Sequence, residues 1–122
     1  MERLFFSLGA LMAGLAVIAG AYGAHGGETA LGLDQARLIS KAARYQMYHG
    51  LALLALAWAC SQWPEQIRLF QVAGALFLFG ILCFSGSLYL MAFTGAKLGY
   101  VTPLGGLAFI TAWLVMVIAS WR

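Results

Sequence analysis

The stretch LFFSLGALMAGLAVIAGAYGA, residues 4–24, carries no charged side chain, and its only polar members are Ser7 and Tyr22. A helix needs about 20 mainly apolar residues to cross the hydrocarbon core of a bilayer, so this run reads as one span. Three more runs of comparable length follow at residues 45–63, 69–93 and 103–121. Together they fill most of a 122-residue chain that is 63% hydrophobic and only 9% charged. The expected fold is all-α: an integral membrane antiparallel four-helix bundle, one transmembrane domain over residues 1–122, with no length left for a soluble domain. Ala19-Gly20-Ala21 resembles a small-residue cleavage site, but the apolar run is longer than an ordinary signal core, so a retained first span is expected.

The net charge of +3 comes from seven basic and four acidic residues scattered near the span ends. That spacing suits contact with lipid headgroups; nucleic acid would ask for a continuous basic patch, so no nucleic-acid partner is expected. Arg3, Arg68 and Arg122 fall on one side of the predicted bundle, and Arg37, Lys41, Arg44 and Lys97 on the other. The denser cluster favours the side of Arg37, Lys41 and Arg44 as the cytoplasmic one, with both termini outside. Cys60 and Cys83 lie inside spans with no CxxC pairing, and read as small apolar side chains.

Span one is rich in small residues at four-residue spacing: Ala16, Gly20 and Ala24, then Ala19, Gly23 and Gly27. Such stripes let backbones approach closely where lipid supplies no hydrophobic drive between helices. Between spans one and two, Asp34 is the expected N-cap of a short amphipathic helix that carries Arg37, Lys41 and Arg44 and either lies in the interface or bends into the start of span two. Tyr45, Tyr48, His49 and Ala52 then share one face of span two. Trp63-Pro64 marks a tight turn, Thr94-Gly95 the end of span three, and Thr102-Pro103 the start of span four.

An up-down-up-down path puts the polar residues of the spans in one membrane half. Tyr22 and His25 end span one, and Gln46 and His49 open span two. Ser85, Ser87, Tyr89 and Thr94 lie late in span three, and Thr102 at the start of span four. Each unpaired polar group at that depth costs about 1–3 kcal/mol, so the set is expected to be mutually hydrogen-bonded, either around a pocket or as a network fixing helix register. His49 lies deeper than His25, and an ionisable residue inside a bundle is a functional candidate. A metal site would lack the Cys, Asp or Glu that usually completes one.

No Asp or Glu falls within a span, which argues against proton-coupled export through a membrane-embedded carboxylate. No nucleophile–base pair or phosphate loop is recognisable, so an enzyme is not expected.

Four motifs carry a resemblance. Gly20-Ala21-Tyr22-Gly23-Ala24-His25-Gly26, Arg44-Tyr45-Gln46-Met47-Tyr48-His49, Phe84-Ser85-Gly86-Ser87-Leu88-Tyr89 and Thr102-Pro103-Leu104-Gly105-Gly106 resemble, in that order, the YgdD-like family of small bacterial inner-membrane proteins. The resemblance covers essentially the entire chain. It implies four transmembrane helices and a plasma-membrane location, and it implies no activity, substrate or cofactor.

The leading expectation is a non-enzymatic binder of lipid, quinone or a partner helix. Tyr22, His25, Tyr45, Gln46, His49, Ser85, Ser87, Tyr89 and Thr102 would line its polar pocket, and Gly20, Gly23, Gly86, Gly105 and Gly106 would permit close packing. Two alternatives are a structural or accessory subunit packed against another membrane protein or a second copy, and a small transporter or channel.

Overall fold

The computed structural model describes residues 1–122. The chain is helical almost throughout, with no strand. Its helices are α1 (Glu2–His25), α2 (Gly27–Leu31), α3 (Leu33–Gln62), α4 (Ile67–Gly80), α5 (Gly86–Thr94) and α6 (Val101–Trp121). A 3-10 turn, Pro64–Gln66, leads into α4, and a π-helical turn, Ile81–Ser85, joins α4 to α5. Three helical stretches are long and apolar enough to cross a membrane: Glu2–His25, the continuous Pro64–Thr94 and Val101–Trp121. The fourth long helix, α3, is not in that class, because Gln35, Arg37, Lys41 and Arg44 precede the polar run Tyr45-Gln46-Met47-Tyr48-His49 within it.

The interfacial helix expected between spans one and two is not a separate element. Residues 34–44 form the first third of α3, which runs unbroken for 30 residues. The cause is local: no glycine or proline lies between Leu33 and His49, so nothing interrupts the backbone ladder. Asp34 is correspondingly not the N-cap. That position is Gly32, whose φ of 98° lets the chain turn sharply out of α2. Asp34 sits in the first turn, where its charge favours the helix dipole. Gly95 makes the matching exit from α5: at φ 70° its N–H closes on the Met91 carbonyl.

The interior is built mainly from alanines and glycines with a few aromatic and aliphatic side chains, and most of the large aliphatic side chains point outward. Ala42, Leu53, Leu56, Ala73, Phe77 and Ala112 are fully buried. Ile18, Leu82, Leu107 and Ile110 are among the many exposed apolar side chains. This inversion is stable only with hydrocarbon around the belt, since water would meet apolar patches far larger than soluble domains tolerate.

α1 packs almost wholly along α3 and α2. Down that seam Gly23 faces Ile39 and Ser40, Gly20 faces Ala43, and Gly9 faces Gly50 and Leu53. A Cβ on Gly9 would stand 2.6 Å from the Gly50 carbonyl oxygen, so this crossing brings backbone onto backbone. α6 packs on α4 and the π turn, where Gly80 lies under the Phe109 ring and Gly105 lies against the Phe84 backbone. Near the start of α1, Phe5 fills the space over Gly74. Toward its other end α1 is linked to α5 by the stacked rings of Tyr22 and Phe93, 6.2 Å apart.

Candidate functional site

The polar residues expected to share one pocket separate into two sets. The first set is sealed. The His49 ring is 5% exposed and lies flat on Phe109, with centroids 3.5 Å apart and planes 2° from parallel. Its Nδ1 is 2.8 Å from the Tyr45 carbonyl oxygen, and its Nε2 accepts the Trp113 indole N–H at 3.2 Å. A carbonyl only accepts, so Nδ1 carries the proton and Nε2 supplies the lone pair. Both nitrogens are thus engaged, leaving none for a metal or haem iron.

Ser87 and Thr102 form a second closed unit, between α5 and α6. Ser87 donates its one hydroxyl proton to the Phe84 carbonyl at 2.9 Å, so the bond between the two hydroxyls must be donated by Thr102. Tyr45 packs on Phe84 at 4.7 Å and on Tyr48 at 5.5 Å. None of Tyr45, His49, Ser87 and Thr102 lines a cavity. Removing the Ser87–Thr102 pair should therefore cost stability alone. A double-mutant cycle with Ser87→Ala and Thr102→Val is expected to give a coupling of about 0.6 kcal/mol, the usual worth of an interhelical hydrogen bond in a membrane. Detergent unfolding of the four proteins measures it, and a coupling of zero would remove the pair as a register device.

The second set borders open space. Between α1 and α5, with α3 as floor, runs a groove of about 420 Å³. Leu15, Ile18, Ala19 and Tyr22 form one wall, Tyr89 and Phe93 the other, and Ile39 and Gln46 the floor. A smaller cavity of about 180 Å³ shares Leu15, Gln46 and Tyr89 with it and reaches Ser85. Gln46 organises the floor by tying three helices. Its Nε2 donates to the Met12 carbonyl of α1 at 2.9 Å, and its Oε1 accepts the Tyr89 hydroxyl of α5 at 2.8 Å. The Met12 carbonyl settles which end of the amide is which, because only the nitrogen can serve it. One amide N–H and the lone pairs of the Tyr89 oxygen remain for a further partner. Ser85, wholly buried, spends its proton on the Ala42 carbonyl at 2.7 Å. No buried side-chain polar atom lacks a hydrogen-bond partner.

His25 stands apart from both sets, exposed at the end of α1, and Thr94 is exposed and bonded to the Leu90 carbonyl. Among the glycines singled out for close packing, Gly23 and Gly105 sit at tight approaches. Gly20 has room for a methyl group, with Ala43 at 3.7 Å. Gly86 has only the Ile81 carbonyl at 4.0 Å, and Gly106 has no neighbour within 4 Å. Gly9, Gly50, Gly74 and Gly80 are close-approach positions that the sequence reading missed. Their signal is weak, since each is a single glycine in an apolar run whose partner lies on another helix.

The family described as "Protein of unknown function (DUF423)" matches residues 19–106, most of the chain, including all four sequence motifs. The chain belongs to the DUF423 family. Relatives agree over nearly the full length. A "UPF0382 membrane protein" of Staphylococcus epidermidis is 46% identical over 98% of this chain and 97% of its own. The "UPF0382 membrane protein YwdK" of Bacillus subtilis is 40% identical over 97% of this chain and 96% of its own. No solved structure matches the DUF423 chain. The family and its relatives carry the DUF423 and UPF0382 descriptions rather than the YgdD-like one. They agree with the sequence reading that this is a membrane-protein family without an assigned function.

Proposed function

We propose that this DUF423 chain is a non-enzymatic, multi-pass protein of the bacterial inner membrane, an antiparallel four-helix bundle that holds a lipid chain in the groove between α1 and α5. The bundle requires α3 as a fourth span. From Arg44 to Trp63 an α-helix rises about 28 Å, close to the hydrocarbon thickness of about 30 Å, and no charged residue lies between them. Polar side chains just inside Arg44 lower the helix's hydropathy, but Gln46 and His49 are buried and hydrogen-bonded within the protein, which removes most of their cost in the membrane.

The groove carries the reading. Its walls are apolar, its volume falls within the range of about 300–1,000 Å³ found for small-molecule sites, and it lies between two helical stretches long and apolar enough to cross a membrane, where lipid chains would be the surrounding solvent. Gln46 on its floor, bonded to Tyr89 in the wall, offers an N–H donor to one carbonyl, such as a lipid ester or a quinone oxygen. No carboxylate, free histidine nitrogen or thiol lines the groove to do chemistry on that ligand.

The test is photolabelling in phosphatidylcholine vesicles with a diazirine on the acyl chain, followed by peptide mapping. Adducts are expected to concentrate on residues 15–22 and 89–93, and to fall severalfold there in Ala19→Trp, which fills the groove. Labelling spread evenly over those residues and the outward face of α6 at Leu107, Ile110 and Leu114 would show ordinary lipid contact and reject the site.

A further inference from the structure

We infer a second, headgroup-selective lipid site on the other flank of the α1–α3 seam: the cleft at Ser40, Arg44 and Tyr48 binds one anionic phospholipid, with phosphatidylglycerol as the chemistry that fits. A cavity of about 310 Å³ lies there, lined by Ala16 and Gly20 of α1 and by Ser40, Arg44, Met47 and Tyr48 of α3. The Ser40 hydroxyl, the Arg44 guanidinium and the Tyr48 hydroxyl are all without a hydrogen-bond partner in the protein. Three side chains that line one cleft therefore carry donors with no partner in the protein, the Ser40 hydroxyl lying toward Gly23 at the α1 side. Gly20 leaves the cleft open, although the helix crossing there does not demand a glycine: an added Cβ would make only ordinary contact with Ala43, at 3.7 Å.

The order of groups along α3 matches the order of groups along a phospholipid. Arg37, Lys41, Arg44 and Tyr48 follow one another at spacings of four, three and four residues and so form one stripe, exposed throughout. Arg44 stands at the hydrocarbon boundary, about 28 Å of helix from Trp63. Ser40 and Arg44, one turn apart, are placed for the phosphate, with the guanidinium giving paired donors to its oxygens. Tyr48, about 6 Å deeper, is at the level of the glycerol ester with Met47 beside it, and the exposed Leu51 continues inward along the acyl chain. Arg37 and Lys41, on the outer part of the stripe, select for charge. They attract a headgroup with net negative charge and repel the ammonium of phosphatidylethanolamine, which carries the same phosphate.

This site shares with the groove only the membrane embedding of α3, so either can fail alone. The experiment is native mass spectrometry of the delipidated full chain, titrated separately with dioleoyl phosphatidylglycerol, dioleoyl phosphatidylethanolamine and inorganic phosphate. A first phosphatidylglycerol adduct should form about tenfold more tightly than the phosphatidylethanolamine adduct. Arg44→Gln should weaken it by about tenfold, the worth of one charge-assisted hydrogen bond. Tyr48→Phe should weaken it less, and Arg68→Gln, at the far end of the bundle, should leave it unchanged. Equal affinity for the two lipids, equal loss in Arg44→Gln and Arg68→Gln, or displacement of the lipid by inorganic phosphate would each overturn the site.

Discussion

Gly105→Leu is expected to prevent α6 from seating on the α4–α5 helix, while Gly106→Leu, one residue along, leaves the fold unchanged. A side chain at Gly105 meets the Phe84 backbone nitrogen and Cα as well as its Cβ. Backbone cannot rotate out of the way as a ring can, so the helices must separate. Overpacking in a filled interior costs about 1–3 kcal/mol and sometimes more, and a backbone clash belongs at or above the top of that range. Separation would also break the Thr102–Ser87 bond between α6 and α5, and a displaced α6 would strain the Trp113–His49 bond that ties it to α3. Gly106 has no neighbour within 4 Å, so a leucine there joins the lipid-facing belt, with an effect within about 0.5 kcal/mol. Unfolding of both variants in a mixed SDS–dodecylmaltoside titration, followed by circular dichroism, measures the difference. Equal midpoints for the two would show that the α6 packing described above is not the one adopted.

That pair also shows what the sequence could and could not convey. Gly105 and Gly106 look alike in the chain, yet neighbouring residues on a helix point about 100° apart, so only one of them can face α4. Which one is fixed by the rotation of α6, and its hydrophobic face is too uniform to record that rotation. The three apolar stretches were legible because span length and the absence of charge are properties of single segments. The continuity of α3 is also written in the chain, in the lack of any glycine or proline from Asp34 to Tyr48, but the amphipathic pattern of its first third fits a separate interfacial helix as well as one joined to span two.

The π turn at Ile81–Ser85 left no comparable mark. It shifts the ladder by one residue within an apolar run, and it is where Ser85 turns fully inward onto the Ala42 carbonyl. Such turns occur frequently at functional sites, and this one borders the smaller cavity beside Gln46 and Tyr89. Connectivity leads one to expect the polar residues in one membrane half. It could not say which hydroxyls would find each other, because a hydrogen bond is decided by two helix rotations at once.

His49 is where that distinction has the largest consequence. Read along the chain, a histidine one turn into a span is the first candidate for a ligand contact. Its geometry instead makes it the pin between α3 and α6. His49→Ala is expected to destabilise the protein by roughly 3–5 kcal/mol, the usual loss for deleting a large buried ring, because the variant opens a void beside Phe109 and Phe77 and leaves the Trp113 N–H without its acceptor. His49→Phe separates the two contributions: it keeps a flat ring on Phe109, loses only the hydrogen bonds, and should cost about 1–3 kcal/mol. Blue-shifted or quenched tryptophan emission that is also changed by Trp113→Phe assigns the signal to that contact. Groove photolabelling on residues 15–22 and 89–93 should survive in His49→Phe at the wild-type level, since His49 does not line the groove. A folded His49→Phe protein that had lost its groove adducts would return the histidine to the ligand and dismantle the division of the polar residues into a sealed set and an open one.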